Sequence, residues 1–246
     1  MYSLSSVFVF IRSIFFLIIF YLGTLIMFFV FIPTLFMSCK QAGCFPKIWS
    51  QIMSKVLSMV CGVRFHIEGL ENLPTQNGYI VASKHQSALE TVLFHSLIPN
   101  VFYVLKRELM MIPFAGIYFL KTGCIPIDRK GGAKTMRQML TSVRKHLSDD
   151  MNLIIFPEGT RTAPGTKKPY TPGIAFLYEQ CHVPVVPVAL NTGYCWPKNK
   201  IKKNSGIVTI RFLKPINPGM ERRAFLNELY SQIETAQNEL KNPFQF

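Results

Sequence analysis

The amino-acid sequence predicts an α/β fold, with a mixed central sheet flanked by helices and preceded by an N-terminal membrane-embedded helical element. Short apolar runs of strand length alternate with longer segments in which apolar residues recur at helical spacing. Such repetition of strand and helix is typical of layered α/β domains. One long uncharged stretch at the N-terminus departs from this pattern. We therefore expect a membrane element at residues 1–60 and one further domain at residues 61–246.

The alternating region divides into short strands and longer helices. Apolar runs bounded by turn residues predict strands at 79–83, 102–105, 124–127, 153–156, 185–190 and 207–212. Helical spacing predicts helices at 87–97, 114–121, 133–147, 173–180 and 221–240. In the third of these helices Met136, Leu140, Val143 and Leu147 share one stripe, as expected for a helix that packs on a sheet.

The N-terminal segment carries no charged residue from Ser13 to Ser38. A bilayer-crossing helix needs about 20 apolar residues, so this run is long enough to span. It is longer than the roughly 7 to 15 apolar residues of a secretory signal. A buried core helix is the alternative, but large apolar residues on every face favour a membrane. A second helix is predicted at residues 45–60, either as part of the same element or as an ordinary core helix.

Charge bias around this segment predicts its orientation. Only Arg12 and the amino terminus precede the apolar run, whereas four cations follow it closely: Lys40, Lys47, Lys55 and Arg64. Because basic residues are retained on the cytoplasmic side, the domain that follows is expected to face the cytoplasm. For a bacterial chain this means the inner (plasma) membrane.

The whole chain is strongly basic, with a formal charge of +14 and a pI near 9.7. Nucleic acid, an anionic membrane or a phosphorylated substrate could each account for this charge. No nucleic-acid-binding motif is recognisable, so we expect anionic membrane lipids and no nucleic acid as partners. The densest cluster, Lys198 to Lys203, is assigned to lipid headgroups, with a solvated loop as the alternative.

The six cysteines show no C-x-x-C spacing and no histidines at zinc-site intervals. We therefore expect reduced thiols in a cytoplasmic domain and no metal site. Cys181 and His182 are adjacent, but neighbouring side chains rarely face each other. Core packing is the preferred interpretation of that pair.

A candidate base occurs at His85, five positions before Glu90, in the sequence His-Gln-Ser-Ala-Leu-Glu. A neutral imidazole can take a proton from an attacking hydroxyl when a carboxylate fixes its tautomer. On one continuous helix the two side chains would point about 140° apart, so His85 is expected before the helix. Ser87 and Glu90 match a capping box that starts this helix. The alternatives are that Glu90 only caps the helix and that His85 is merely packed.

Two further loops carry candidate anion-binding residues. Phe156 ends an apolar run and leads into Pro157-Glu158-Gly159-Thr160-Arg161, which combines a flexible backbone, a hydroxyl and a guanidinium suited to phosphate. Lys106 and Arg107 follow another predicted strand, at the kind of edge where open α/β sheets bind ligands. Solvated surface turns are the alternative for both loops.

Four segments of the chain together resemble, in order, the four motifs of the glycerolipid acyltransferases. They are His85 to Glu90, Lys106 to Leu109 with Ile112-Pro113, Phe156 to Arg161, and Val183 to Pro187. The resemblance covers roughly residues 60 to 215 and is strongest to the bacterial lysophosphatidic acid acyltransferases. It implies that residues 61–246 are an acyltransferase domain and that residues 1–60 form a two-helix membrane element. The first motif departs from the family, which usually has Asp at the position of Glu90.

The resemblance implies acyl transfer from acyl-CoA or acyl carrier protein to the free hydroxyl of 1-acyl-glycerol-3-phosphate, giving phosphatidic acid for phospholipid biosynthesis. It implies no metal and no redox cofactor. His85 would be the general base and Glu90 its partner. Six residues would bind the substrate phosphates: Lys106, Arg107, Glu158, Gly159, Thr160 and Arg161. Pro184 and Pro187 would shape a strand end near the acyl groove, although two prolines also suit an ordinary edge strand.

Three alternatives stay open on the sequence. The acceptor could be another lysolipid, such as a lysophospholipid or a lyso-ornithine lipid. A lipid hydrolase could use Ser87 as its nucleophile, although no G-x-S-x-G elbow is present. A membrane-bound lipid-phosphate binder without catalysis is expected if Glu90 fails to orient His85.

Overall fold

The computed structural model of the protein describes residues 4–76, 78–128 and 131–240. Seven strands form one sheet. They are β1 (Val63–Glu68), β2 (Ile80–Ser83), β3 (Val101–Lys106), β4 (Ile125–Ile127), β5 (Asn152–Ile155), β6 (Val185–Leu190) and β7 (Gly206–Phe212).

The sheet is mixed, and its order is β1-β7-β6-β2-β5-β3-β4. Strands β6, β2, β5, β3 and β4 are mutually parallel. Strand β7 runs antiparallel to β6, and β1 runs parallel to β7. The carboxyl ends of β2, β3, β5 and β6 therefore meet along one side of the sheet, which we call the site edge. Open α/β sheets bind their ligands at such an edge.

Helices cover both faces of the sheet and precede it. The α-helices are α1 (Leu4–Val30), α2 (Cys39–Ala42), α3 (Cys44–Cys61), α4 (Leu89–Leu97), α5 (Ala115–Lys121), α6 (Gly132–Ser148), α7 (Pro172–Cys181), α8 (Thr192–Cys195) and α9 (Arg222–Glu239). Short 3₁₀ segments lie at Ile32–Phe36, Leu70–Asn72 and Arg107–Met111.

The predicted fold class is confirmed, and the strands and helices predicted after residue 44 are present with small shifts of their ends. The apolar segment predicted at 13–38 is helical over Leu4–Val30 and continues as the 3₁₀ segment Ile32–Phe36. Strand β1 was missed, although Val63, Phe65 and Ile67 alternate with polar residues as a half-buried strand does. Its partner β7 lies more than 130 positions further along the chain, with Val63 opposite Gly206. Local spacing carries no information on such a pairing.

Alternation along the buried strands divides the core between the two faces. Val81 of β2 packs with Phe94 of α4 on one face. Ile80 and Ala82 pack on the other face, where α6, α7 and α9 contribute Val143, Leu177 and Phe225 among others. Because both faces are covered, the central parallel strands are apolar throughout, as expected of strands buried on two sides.

Helix α1 packs on α3 through aromatic side chains. Phe20 lies 5.8 Å from Trp49, and Phe28 lies 5.8 Å from Phe45, between ring centroids. The outward side of α1 is also apolar, with Phe8, Ile18 and Leu22 among many exposed residues. Within the described chain, Ser6–Val30 is the one helix long and apolar enough to cross a membrane, with mean hydropathy 2.6. The predicted second helix is α3, and it is buried on one side through Trp49, Met53 and Leu57.

Candidate active site

His85 lies in the turn between β2 and α4, before the helix begins at Leu89. Its Nδ1 is 2.8 Å from Oε1 of Glu90, which is fully buried in the first turn of α4. Because the turn bends the chain back over the helix start, the two side chains meet although four residues separate them. A continuous helix would have separated them. The structure thus brings together the two residues predicted as base and partner.

The contact with Glu90 fixes the tautomer of His85. An ionised carboxylate only accepts hydrogen bonds, so Nδ1 must carry the hydrogen that lies between them. Nε2 is then the nitrogen with a lone pair. The imidazole is 16% exposed, so a substrate hydroxyl can approach it from the site edge. This is the arrangement in which a histidine acts as a general base.

Glu90 also accepts backbone hydrogen bonds at the start of α4, so the capping contact and the contact with His85 occur together. Its Oε1 accepts the backbone N–H groups of Gln86 at 2.8 Å and Ser87 at 2.7 Å. The predicted role of Ser87 as N-cap is wrong, because Ala88 holds that position. The Ser87 hydroxyl instead accepts from the Leu89 N–H at 3.0 Å, still outside the helix interior. The two backbone donors hold the carboxylate in place.

Thr192 was missed by the sequence analysis. It begins α8, just beyond the carboxyl end of β6, and its hydroxyl donates to Oε2 of Glu90 at 2.7 Å. Next to it, the Gly193 N–H donates to Oε1 of Gln86 at 3.1 Å. Both carboxylate oxygens of Glu90 are therefore hydrogen-bonded, and the β6–α8 turn holds the β2–α4 turn. A threonine 102 positions away gives no local signal of this contact.

Phe156, at the end of β5, stacks on the His85 ring. The two ring centroids are 3.9 Å apart and the planes are 14° from parallel. Tyr103 extends the stack, with its centroid 6.2 Å from that of Phe156. A stacked aromatic face limits rotation of the imidazole. Phe156 was part of the third motif. Its stacking on His85 could not be predicted from the motif, because it depends on strands β2 and β5 being neighbours in the sheet.

Glu158 differs from its predicted place in a phosphate-binding loop. It is fully buried, and its Oε2 accepts the His85 backbone N–H at 3.0 Å and the Thr162 hydroxyl at 3.1 Å. Its Oε1 pairs with Lys84. The carboxylate therefore lies behind the site and braces its backbone. A carboxylate would also repel a phosphate, so the prediction that Glu158 binds one is corrected.

Lys84 sits at the centre of a buried charge network. Besides Glu158 it contacts Oε1 of Glu234 in α9 at 2.9 Å, and the Tyr170 hydroxyl lies 3.3 Å from the same oxygen. Burial opposes the charged form of Lys84, but hydrogen bonds to Glu158 and Glu234 outweigh it and raise the pKa of Lys84 above its ordinary 10.5. The lysine therefore stays charged. It links the turn that carries His85 to the loop after β5 and to α9.

The loop after β5 presents Gly159, Thr160 and Arg161 at the site edge. Gly159 has φ +68°, a conformation that favours glycine. Thr160 is exposed and Arg161 half-buried. The Thr162 N–H donates to the His85 carbonyl at 2.7 Å, so this loop is tied directly to the β2–α4 turn. Gly159, Thr160 and Arg161 thus lie in a loop that is bonded to the turn carrying the candidate base.

The remaining predicted cations lie at the same edge or near it. Lys106 and Arg107 are exposed at the end of β3, where Lys106 pairs with Glu108 at 3.1 Å. Lys198, in the loop that follows α8, donates to the Arg161 carbonyl at 3.0 Å. Lys203 was expected at lipid headgroups, and that part of the prediction is wrong. It is buried, its Nζ donates to the Lys200 and Ile201 carbonyls, and burial lowers its pKa to about 8.

Pro184 and Pro187 belong to a central strand. Pro184 precedes β6 at the amino end, and its carbonyl accepts the Ile80 N–H at 3.0 Å. It therefore lies at the side of the sheet opposite the site edge, and its place near the acyl groove stays a prediction. Pro187 pairs with Ala82 inside β6, so the edge-strand alternative is also wrong. A proline is tolerated there because pairing of β6 with β7 starts only at Val188.

The cysteines are free thiols, and those near the core are held protonated. Burial raises the pKa of Cys181 to about 11 and that of Cys195 to about 12. A thiol with so high a pKa is a poor nucleophile at neutral pH. Core packing thus accounts for Cys181, as predicted. No cluster of metal-ligating side chains occurs in the part of the chain that the structure describes.

Known proteins resemble this chain in sequence and in fold. A 1-acyl-sn-glycerol-3-phosphate acyltransferase of Pseudomonas aeruginosa is 29% identical over 208 residues, which cover 79% of this chain and 80% of the relative. The human 1-acyl-sn-glycerol-3-phosphate acyltransferase alpha is 30% identical over 68% of this chain, and this chain spans 59% of that relative. The enzyme of that name from Limnanthes alba is 30% identical, and the match covers 70% of this chain and 61% of the relative.

Among solved structures, the 1-acyl-sn-glycerophosphate (LPA) acyltransferase PlsC from Thermotoga maritima superposes with a TM-score of 0.80 at 20% identity. The match covers 96% of this chain and 99% of that one, so the two share a fold. The acyltransferase family model matches residues 64–191, which contain His85, Glu90 and Arg161. That match spans more than half of the 246 residues, and the chain therefore belongs to the acyltransferase family.

Proposed function

We propose that this protein is a 1-acylglycerol-3-phosphate O-acyltransferase, which makes phosphatidic acid from lysophosphatidic acid. One observation carries the proposal: a buried His85–Glu90 pair lies at the site edge beside Arg161 in a loop tied to the same turn. The relatives named for this reaction in bacteria, plants and animals support the choice of substrate.

The reaction begins when Nε2 of His85 takes the proton of the free hydroxyl on the acceptor. The hydroxyl oxygen attacks the thioester carbonyl of acyl-CoA or of acyl carrier protein. The carbon–sulfur bond then breaks, and the departing thiolate recovers the proton from the imidazolium. Glu90 stabilises the imidazolium while it exists, because the carboxylate faces the Nδ1–H in a buried site. These steps require neither a metal nor a redox cofactor.

The acceptor phosphate is assigned to the cations of the site edge. Arg161 offers a planar fork of donors, and Thr160 and the Gly159 backbone lie next to it. Lys106 and Arg107 at the end of β3 contribute further charge to the acceptor or to the phosphates of the donor. A phosphomonoester fits this set better than an uncharged headgroup does, so lysophosphatidic acid is preferred over other lysolipids.

The membrane element is assigned to one leaflet of the bacterial inner membrane, with the catalytic domain in the cytoplasm. Helix α1 contacts the catalytic domain near both of its ends: Lys202 donates to the Ser6 hydroxyl at 2.6 Å, and Phe28 stacks on Tyr118 at 5.2 Å. A helix that crossed the bilayer would carry one of these contacts to the far side. An orientation along the surface, with the apolar side in the lipid, satisfies both contacts.

The purified full chain provides the test, with radiolabelled acyl-CoA and lysophosphatidic acid in mixed micelles. We expect labelled phosphatidic acid, and we expect His85→Ala to lower turnover by about 10³-fold or more, because general-base catalysis typically contributes 10²–10⁴-fold. A His85→Gln variant serves as a matched control that keeps a polar side chain of similar size. Lysophosphatidylcholine tests the assigned acceptor, and equal turnover of the two lysolipids would remove the phosphomonoester from the proposal.

Two experimental results would contradict the proposed reaction and indicate a different function. Free fatty acid formed without acceptor would identify a hydrolase, but buried Ser87 already accepts from a backbone N–H and is poorly placed as a nucleophile. Lipid binding that is equal in the parent chain and in His85→Ala, without any product from acyl-CoA or acyl carrier protein, would identify a non-catalytic binder.

A further inference from the structure

A second apolar surface follows directly after the cations at the end of β3. Residues 109–120 carry no charged side chain. Six of them are large apolar residues exposed to the outside: Leu109, Met111, Ile112, Phe114, Ile117 and Leu120. Met111 is 82% exposed and Ile117 61% exposed. We call this group the 109–120 surface. The reaction proposed above does not use it.

Helix α5 shows that this surface is not an ordinary water-facing one. Its inward residues are Ala115, Gly116 and Tyr118, and its outward residues Ile117 and Leu120 are apolar as well. A helix at the surface of a soluble domain normally carries polar residues on its outer side. A short helix that is apolar on both sides fits an apolar environment outside the protein.

The surface is continuous with the exposed apolar side of α1. Phe114 lies 5.6 Å from Phe29 and 6.3 Å from Phe28, between ring centroids. Phe114 has φ +62°, which is rare for a bulky residue. The contact fixes α5 beside the helix that is apolar enough for a membrane.

Charge marks the border of the 109–120 surface. Lys106 and Arg107 precede it, with Lys106 paired to Glu108 at 3.1 Å, and Lys121 ends α5. Cations that flank an apolar surface match the phosphates above the acyl region of an anionic bilayer. We propose that the 109–120 surface inserts into the lipid beside α1 and that it is a second membrane contact, which places the site edge at the headgroup level.

This placement would let a lipid acceptor reach His85 without leaving the membrane. That consequence rests on the proposed function, whereas insertion itself does not. Because the apolar surface starts two positions after Arg107, insertion holds Lys106 and Arg107 where lipid phosphates lie.

Tryptophan scanning tests insertion in the absence of any substrate. Met111→Trp and Ile117→Trp are introduced singly into the full chain, with Met220→Trp as the control. Met220 is also apolar and exposed, but its backbone N–H contacts the Tyr178 hydroxyl, away from the site edge. The chains are bound to phosphatidylethanolamine and phosphatidylglycerol vesicles with brominated acyl chains. The signal of Trp49 and Trp196 is subtracted with the parent chain.

We expect bromine to quench the new tryptophan at 111 and at 117, and acrylamide in the water to quench the one at 220. Equal acrylamide quenching at all three positions would overturn the proposal. Protection of 111 and 117 from both quenchers would also overturn it, and would assign the surface to a second copy or a protein partner.

A kinetic measurement separates this inference from the proposed reaction. Ile117→Asp should lower turnover of long-chain lysophosphatidic acid in vesicles about fivefold, because it removes the transfer of one large apolar side chain into lipid. Turnover of a short-chain, water-soluble acceptor should stay unchanged, and the thermal unfolding midpoint should match that of the parent. An equal fall with both acceptors would contradict a membrane role. Activity absent with both acceptors in the parent itself would reject the reaction and leave the quenching result standing.

Discussion

The two loops that carry the candidate site differ in how firmly their side chains are held. In the β2–α4 turn, Glu90 is fully buried and both its oxygens are hydrogen-bonded, to four donors in total. In the loop after β5, Thr160 is exposed, and Arg161 pairs with no carboxylate among the residues that the structure describes. The candidate base is thus set in place before any substrate arrives, whereas Arg161 is open to a ligand. Preorganisation of the reacting groups is what general-base catalysis requires.

Lys84 joins the two loops, so its replacement should have the largest effect. Lys84→Met leaves Glu158 and Glu234 buried without their shared cation. Breaking a buried pair in this way costs about 3–5 kcal/mol of unfolding free energy. Urea denaturation measures this loss, and Lys84→Arg, which keeps the charge, should lose less. An unchanged denaturation midpoint in Lys84→Met would show that the network does not brace the loops.

The raised pKa of Lys84 predicts how the difference in unfolding free energy between the parent and Lys84→Met depends on pH. A lysine whose pKa is higher in the folded chain contributes its stability fully below the unfolded pKa of 10.5. It loses that stability as the pH rises through the higher folded value. The gap in stability between the parent and Lys84→Met should therefore be flat from pH 6 to 9, on the scale of about 3–5 kcal/mol, and shrink only above pH 10.5. A gap that closes near neutral pH would contradict this assignment.

Glu90→Gln tests the contact between Glu90 and His85 in the β2–α4 turn. The amide keeps the size but loses the charge that stabilises the imidazolium, and it can favour the wrong tautomer of His85. We expect kcat to fall by about 10²–10³-fold with little change in KM for the acceptor. Glu90→Asp is the matched control, because it restores the residue usual in the family at the cost of one methylene. Steady-state kinetics that match the parent in Glu90→Gln would remove this residue from its role.

Thr192 should matter less, because it acts on His85 only through Glu90. Thr192→Val keeps the shape but removes the donor to Oε2, which leaves one buried carboxylate oxygen without its partner. We expect kcat to fall about tenfold, in line with the roughly 1–3 kcal/mol of an unsatisfied buried group. Thr192→Ser should restore most of the rate. If Thr192→Val and Thr192→Ser have the same kcat, the hydroxyl contributes packing only. A pH–rate profile of Thr192→Val that is identical to the profile of the parent would support the same conclusion.

Arg161 lies in the loop after β5, where side chains are held less firmly. Its replacement should have the smallest and most selective effect on the kinetics. Arg161→Ala should raise KM for the acceptor about tenfold and leave kcat within about twofold, because the guanidinium binds the same phosphate in ground and transition states. Arg161→Lys keeps the charge but loses the planar fork of donors. Its KM for the acceptor should therefore lie between that of the parent and that of Arg161→Ala. Acceptor titrations at saturating acyl-CoA give both constants. A large fall in kcat would mean that this loop is as preorganised as the β2–α4 turn.

Much of the site was predictable because it depends on spacing along the chain. His85 and Glu90 are five positions apart, and their contact needs only a strand end, a turn and a helix start. Gly159, Thr160 and Arg161 were likewise recognisable as a loop after a strand. The errors at Glu158 and Ser87 have one cause: sequence spacing places a backbone position but does not say which way its side chain points. Glu158 turned inward to Lys84, and Ser87 turned toward the Leu89 N–H.

The sequence alone determined the α/β class, the apolar N-terminal helix, and the pairing of His85 with Glu90, since each depends on residues within one or two elements. The tertiary structure decided which distant groups complete them. Thr192 reaches Glu90 across 102 positions, and Glu234 reaches Lys84 across 150. The pairing of β6 with β2 and the packing of α9 make these contacts, and both depend on burial of apolar side chains from the whole chain. Local patterns cannot specify such contacts, because hydrophobic burial is non-directional and only the assembled core fixes the geometry.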